Sequence, residues 1–305
     1  MNLLADENKI VSKSPFSAYR NEKDIYDGRK TSISLEHIMI KVKRGEVNGI
    51  DYEILKCVSE LEFSTSRMIT QLINLKGYNV EQEKVQRRLN FLNKTNIISR
   101  YMTVSEESKS NTRIYCLEKV GNVLLRSREW PSKWKQTDSI RPLETKKRIL
   151  ARNQIYLEYL RSGMDFESAK FDYKINSFKS DMIVETGTKK YVFLISRSYP
   201  TEIEKFEVKV SDYFGMCEDF IVTPQMLEPP MLVIVGEDDN QLLEVFKKLV
   251  VKGLDYSKVL FTTDLRVIND INRSILQFSI QNIGTIENPS HRARMEIKKF
   301  FLNRD

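Results

Sequence analysis

Glycine and proline are scarce in this 305-residue chain, at 11 and 8, which removes collagen-like and low-complexity linker architectures. Histidine is scarcer still, with only His37 and His291. They lie far apart and have no cysteine at ligand spacing, so zinc sites and histidine-dependent triads find no support. Cys57, Cys116 and Cys217 are scattered without any C-x-x-C spacing. They indicate neither a disulfide framework nor a metal knuckle, and read as small buried apolar residues. No apolar run approaches the roughly 20 residues that span a bilayer. The start MNLLADENKI lacks the basic and apolar regions of a secretion signal. A cytoplasmic protein without membrane contact is the expectation. There is no G-x-x-x-x-G-K-S/T phosphate loop and no internal repeat.

What is present is charge of both signs. Lys and Arg number 49 against 42 Asp and Glu, giving +7, a tilt toward anionic partners. Abundant Lys, Asn and Ile also resemble the coding of an AT-rich bacterial genome, so only clustering of the cations carries an argument.

The length suits two compact domains. Residues 1–48 are polar, without a sustained period, and read as a flexible amino-terminal arm in which SISLEHIMIKVKRG forms one short element. From Asp51 the pattern is helical, with Ile54, Leu55, Val58 and Leu61 on one face. A second helix opens at Ser64 or Thr65, carries Met68, Ile69, Leu72 and Ile73, and stops at Gly77. A third runs from about Glu81 to Asn93 with Val85, Leu89 and Leu92 as its stripe. The period then changes to two, and IISRYMTV and TRIYCL read as strands joined by SEESKSN. Three helices and a hairpin are the order of a winged helix-turn-helix, assigned to 49–128. A linker follows at 129–141, then an α/β domain at 142–287 and a basic tail at 288–305 ending in a helix. The second domain reads as a long helix from Leu143 to Arg161, the strands FESAKFDYK, KSDMIVET and KYVFLIS, a helix from Thr201 to Met216, the strand MLVIV, a helix from Asn240 to Lys252 and the strand KVLFT. That order implies a mixed sheet flanked by helices. The fold class is α+β.

A helix that enters the major groove hides one face and offers the other to base edges and phosphates. With Val85, Leu89 and Leu92 turned inward, helical spacing puts Gln82, Glu83, Gln86, Arg87, Asn90 and Lys94 outward. Gln, Asn and Arg match the donor and acceptor pairs of adenine and guanine. Lys84 and Arg88 flank that face and suit phosphates. The hairpin adds Arg100 at one strand and Lys109 and Arg113 near the tip, where a wing usually meets sugar-phosphate or the minor groove. Glu81 and Glu83 oppose a purely phosphate-driven surface and suit the positive end of the helix dipole. The competing interpretation is a winged helix that serves only protein contacts. The KKR run at Lys146–Arg148 and HRAR at His291–Arg294 would extend a phosphate track or form solvated faces. The acidic run VGEDDN lacks calcium-loop spacing and reads as a strand end and helix cap.

The run NTRIYCLEKVGNVLLRSREW, the helix ARNQIYLEYL, and then SDMIV, YVFLISRS and EKFEVKVSDYF resemble the replication-relaxation family of bacterial mobile elements over about residues 50–220. The family's Y-x-L-T-x-x-G element corresponds to Tyr115, Leu117 and Gly121, with Glu118 replacing Thr. Its Asn-x-x-Tyr element corresponds to Asn153 and Tyr156, and a K-x-x-x-Y element to Lys209 and Tyr213. The resemblance implies a carboxy-terminal fold similar to PD-(D/E)XK nucleases. Those enzymes hold a divalent cation with an Asp on one strand and a Glu-x-Lys on the next. Asp181 falls at the first position, but Leu194 and Ser196 stand where Glu and Lys are needed. Cleavage would require Glu158, Glu185 or Lys190 as substitutes, and one carboxylate does not fix a catalytic magnesium. The expectation is therefore a non-enzymatic, sequence-specific double-stranded DNA-binding accessory or regulator of a plasmid, conjugative element or phage. It would be a homodimer that recruits a relaxase or replication protein and uses no cofactor. The alternatives are a metal-dependent nuclease and a protein-interaction scaffold.

Overall fold

The computed structural model describes residues 14–298 apart from 15, 18, 20, 29–32, 107–110, 133, 139, 187–188, 223–225, 227 and 284–289. The chain is α+β. Its first half comprises β1 (Lys23–Tyr26), α1 (Leu35–Lys43), α2 (Gly49–Leu61), β2 (Phe63–Ser64), α3 (Ser66–Leu75), α4 (Gln82–Lys94), β3 (Ile98–Val104), β4 (Arg113–Leu117) and α5 (Lys119–Arg126). The second half comprises α6 (Leu143–Arg161), β5 (Ala169–Phe171), β6 (Lys174–Ile175), β7 (Phe178–Lys179), β8 (Met182–Thr186), β9 (Lys189–Ile195), α7 (Pro200–Glu218), β10 (Met231–Gly236), α8 (Asp239–Val251), β11 (Val259–Thr263), α9 (Asp264–Asn269), β12 (Ile275–Ile283) and β13 (Ser290–Lys298).

Local chemistry sets the helix starts. Asn48 and Asp51 form a reciprocal capping box on α2, Thr65 accepts from the Met68 amide at the start of α3, and Asp238 caps α8 through the Gln241 amide. Each satisfies a backbone donor that a helix start otherwise leaves open. Gly77, at φ +90, takes the left-handed turn that releases the chain from α3.

Among the described residues, β1-β3-β4-β2 form a small antiparallel sheet and β13-β12-β11-β10-β9-β8-β5 a mixed one. The latter has β9, β10 and β11 parallel and the other pairs antiparallel. Side chains alternate across it. Val192, Leu194, Leu232 and Ile234 join Phe206, Val210, Leu242 and Phe246 of α7 and α8 on one face. Tyr191, Phe193, Val233 and Val235 point the other way, toward α6. That second core is continuous with the interior of the first half, through Leu150, Ile155 and Tyr159 to Leu61, Phe63 and Leu72.

Three stretches depart from the sequence expectation. Part of the presumed arm is structured: β1 pairs with β3, Lys23 opposite Val104 through Tyr26 opposite Tyr101, and α1 buries Ile38. The strand expected over FESAKFDYK is broken, because Asp172 takes φ +50 and the chain turns from β5 into the separate β6–β7 pair. The tail carries a strand over Ser290–Lys298, where β13 pairs with β12; the helix expected at its end falls past Lys298, outside the described residues. A neighbouring strand supplies partners that a single-chain pattern does not announce.

Candidate nucleic-acid interface

Helix α4 buries Val85, Leu89 and Leu92 completely and leaves Gln82, Glu83, Lys84, Gln86, Arg87, Asn90 and Lys94 exposed. Hydrophobic spacing alone separates the two faces. The first half thus presents one helix whose outward side carries amides and cations. Arg113 is exposed at the start of β4, beside the β3–β4 connection. Lys109 lies outside the described residues.

Two cations assigned to the DNA contact from the sequence, Arg88 and Arg100, are held within the protein. Arg88 donates to both carboxylate oxygens of Asp51, at 2.7 and 2.5 Å, and to the Glu46 carbonyl at 2.7 Å. Its guanidinium also lies 4.6 Å from the Phe91 ring centroid. Asp51 is fully buried, so Arg88 neutralises a charge that cannot reach water and ties α4 to the start of α2. Arg100 on β3 pairs with Asp27 at 2.9 Å and donates to Asn90 Oδ1 at 2.5 Å. The KKR run is likewise internal. Lys146 and Lys147, each 2% exposed at the side chain, pair with Asp24 and Glu22, and Arg148 binds Asp181 and Glu202. Their acidic partners Glu22 and Asp24 were the missing signal, hidden in a segment without periodicity.

Asp181 shows how the second half treats its candidate carboxylate. It precedes β8 and is 2% exposed. Its Oδ1 accepts from Arg148 and, at 2.6 Å, from Lys209, while Oδ2 accepts the Ile195 amide at 2.8 Å. Burial pushes the carboxyl up, but Arg148, Lys209 and the Ile195 amide outweigh it and bring the pKa down to about 2. Glu158, on α6, receives the Gln154 amide at 2.8 Å and Arg161 at 2.5 Å. Burial raises its pKa, against the opposing pull of Arg161. Glu185 and Lys190 pair with each other at 3.3 Å across the β8–β9 register. No cluster of three or more His, Cys, Asp or Glu side chains suited to a metal occurs among the described residues. His37 is exposed on α1, and Cys57 and Cys116 are buried. No described helix is long and apolar enough to cross a membrane.

The motif residues quoted above have structural work. A β-carbon on Gly121 would lie 2.4 Å from the Ile97 carbonyl oxygen, so only glycine lets α5 approach β3 this closely. The Leu117 carbonyl accepts the Trp134 indole N–H at 2.8 Å, which pins the connecting segment against the first half. Asn153 donates to the carbonyls of Leu61 and Phe63, both at 2.7 Å. These flank Glu62, a non-glycine residue at φ +64, a backbone state that costs on the order of 1–3 kcal/mol and needs such bracing. The Glu62 carboxylate binds Arg141 and Arg152, and Tyr156 donates to Glu60 at 2.9 Å. Asn153 and Tyr156 therefore fasten α6 to the end of α2, joining the two halves.

Residues 55–194 match a family model described as replication-relaxation. No curated protein matches the chain, and no solved structure does. The matched segment includes α3, α4, the β3–β4 hairpin, the α6 clamp and Asp181; over residues 55–194 this chain is similar to the replication-relaxation family.

Proposed function

We propose that this protein is a sequence-specific double-stranded DNA-binding accessory factor in the replication or mobilisation of a mobile element, built on a winged helix-turn-helix. In this assignment α2, α3 and α4 are its three helices, α4 enters the major groove and the β3–β4 hairpin is the wing. The observation that carries it is the exposed face of α4. Gln82, Gln86, Arg87 and Asn90 are side chains suited to base edges, and Lys84 and Lys94 to phosphate. The match of residues 55–194 to the replication-relaxation model supports the setting in mobile-element replication.

The second half then acts as a scaffold with a nuclease-like layout rather than as a cleaving domain. Support comes from Asp181, whose two oxygens already serve Arg148, Lys209 and a backbone amide. A cation bound there would have to displace two others. The scaffold would carry the homodimer contact and the docking site for a relaxase or replication protein. A two-fold dimer would select an inverted repeat with half-sites roughly 10 base pairs apart. Selection from a random duplex library, followed by titration across salt, tests the proposal. The expected result is a palindromic motif and an affinity that falls with salt. Absent or salt-insensitive binding would sink it, and magnesium-dependent cleavage would favour the nuclease alternative.

A further inference from the structure

The carboxylate of Asp27 meets Arg100 beside the exposed face of α4. Asp27 follows β1, and its own backbone is fixed twice. Its amide donates to the Arg100 carbonyl at 2.8 Å, and its carbonyl accepts the Asn93 side-chain amide at 2.9 Å. That placement sets Asp27 Oδ2 2.9 Å from Arg100 Nε as an ion pair. Tyr115 lies opposite Arg100 in the β3–β4 register. Arg100, 16% exposed at its side chain, then projects Nη1 onto Asn90 Oδ1 at 2.5 Å.

A guanidinium can only donate, so the atom of Asn90 that meets it must be the amide oxygen. The Asn90 oxygen is therefore turned toward β3 and engaged by a charged donor, while the NH2 group, with two donors, is left for whatever lies over α4. This matters for base choice. An asparagine reads adenine by accepting from N6 while donating to N7, whereas guanine offers acceptors at both O6 and N7. With its oxygen turned toward Arg100 on β3, Asn90 offers the NH2 group to an incoming base edge, and that group is matched to acceptors.

We infer that Asp27 is a positioning residue which, through Arg100, orients the Asn90 amide so that it selects guanine over adenine at one base pair of the recognised site. This rests on the placement of α4 in the major groove. Arg100 belongs on this account to base selection rather than to the phosphate backbone. The segment carrying Asp27 is anchored in the second half by the Glu22–Lys147 and Asp24–Lys146 pairs, so the orientation of Asn90 depends on both halves of the molecule.

The test is selection from randomised duplexes by the full chain and by three variants, Asn90→Ala, Asp27→Ala and Asp27→Glu, each checked for an unchanged melting transition. The expected pattern is a guanine position in the wild-type motif whose preference disappears in Asn90→Ala. At that same position Asp27→Ala shifts the preference toward adenine by at least about fivefold, and Asp27→Glu restores guanine. Adenine in the wild type at the Asn90-dependent position would overturn the inference, as would an Asp27→Ala preference identical to the wild type. If Asn90→Ala changes no position although the chain binds DNA, the face of α4 is not the reader and both proposals fall. If the wild type binds no duplex, the DNA-binding proposal itself has failed.

Discussion

Gln82, Gln86, Arg87 and Lys94 stand exposed on α4, whereas Asp181, at the entry to β8, is 2% exposed and held by Arg148, Lys209 and the Ile195 amide. Both places drew attention in the sequence because they carry residue types that do chemistry. The first is open to an incoming partner. The second has its charge balanced internally by Arg148 and Lys209. Residue type identifies a candidate, and the state of its partners decides what it is free to do.

The sharpest way to break this comparison is to remove Asp181. Asp181→Ala leaves Arg148 and Lys209 facing a vacated site and should lower unfolding free energy by about 3–5 kcal/mol, read from urea denaturation. DNA affinity per folded molecule should stay unchanged. A magnesium-dependent cleavage activity lost in this variant would reverse the comparison. The complementary change is the triple variant Gln86→Ala, Arg87→Ala, Asn90→Ala. Specific affinity should fall about a hundredfold or more, since each paired base contact contributes roughly 1–3 kcal/mol. Stability should move by only about 0.5 kcal/mol per exposed site. Unchanged DNA binding here would move the interface elsewhere.

Acid sharpens the contrast further. The Asp181 carboxyl is depressed from 3.8 to about 2 in the folded state. Its stabilisation is therefore complete above about pH 4 and lost as pH falls through about 2, amounting to about 2 kcal/mol. Wild-type stability should drop over that window, and Asp181→Asn should flatten part of the drop. A wild-type curve that matched the variant would show that Asp181 is not held ionised by its neighbours. The smallest effect belongs to Arg113, exposed at the hairpin. Arg113→Ala should weaken binding about equally for all sequences and reduce the salt slope by about 1. A sequence-dependent loss would place this arginine on a base edge instead.

Much of the first half could be read from periodicity. The stripe Val85, Leu89 and Leu92 is fully buried, and α4 begins and ends within one residue of the expected bounds. Helix geometry couples sequence spacing to facing, so the exposed side of α4 follows from the buried one. The parallel strands β10 and β11 were similarly legible, because strands buried on both faces form continuous apolar runs. Arg88, Arg100, Lys146 and Lys147 were not. Their partners Asp51, Asp27, Asp24 and Glu22 lie between 37 and 125 residues away, as for Arg88 with Asp51 and Lys147 with Glu22. No local pattern records such a pairing. The polar segment before α1 looked aperiodic because it is stabilised by strand pairing with β3 and by ion pairs to α6, rather than by an apolar face of its own.

Sequence by itself determined the α+β class, the three-helix-and-hairpin order, the outward residues of α4 and the absence of a Glu-x-Lys pair after Asp181. These are local properties, fixed by spacing along a helix or strand. Tertiary structure decided which charges remain available. It buried Asp51 against Arg88 and Asp181 against Arg148 and Lys209, folded part of the presumed arm onto both halves, and brought Asp27, Arg100 and Asn90 into line. Ion pairing in a shielded interior depends on separation in space, and only the folded chain sets that distance.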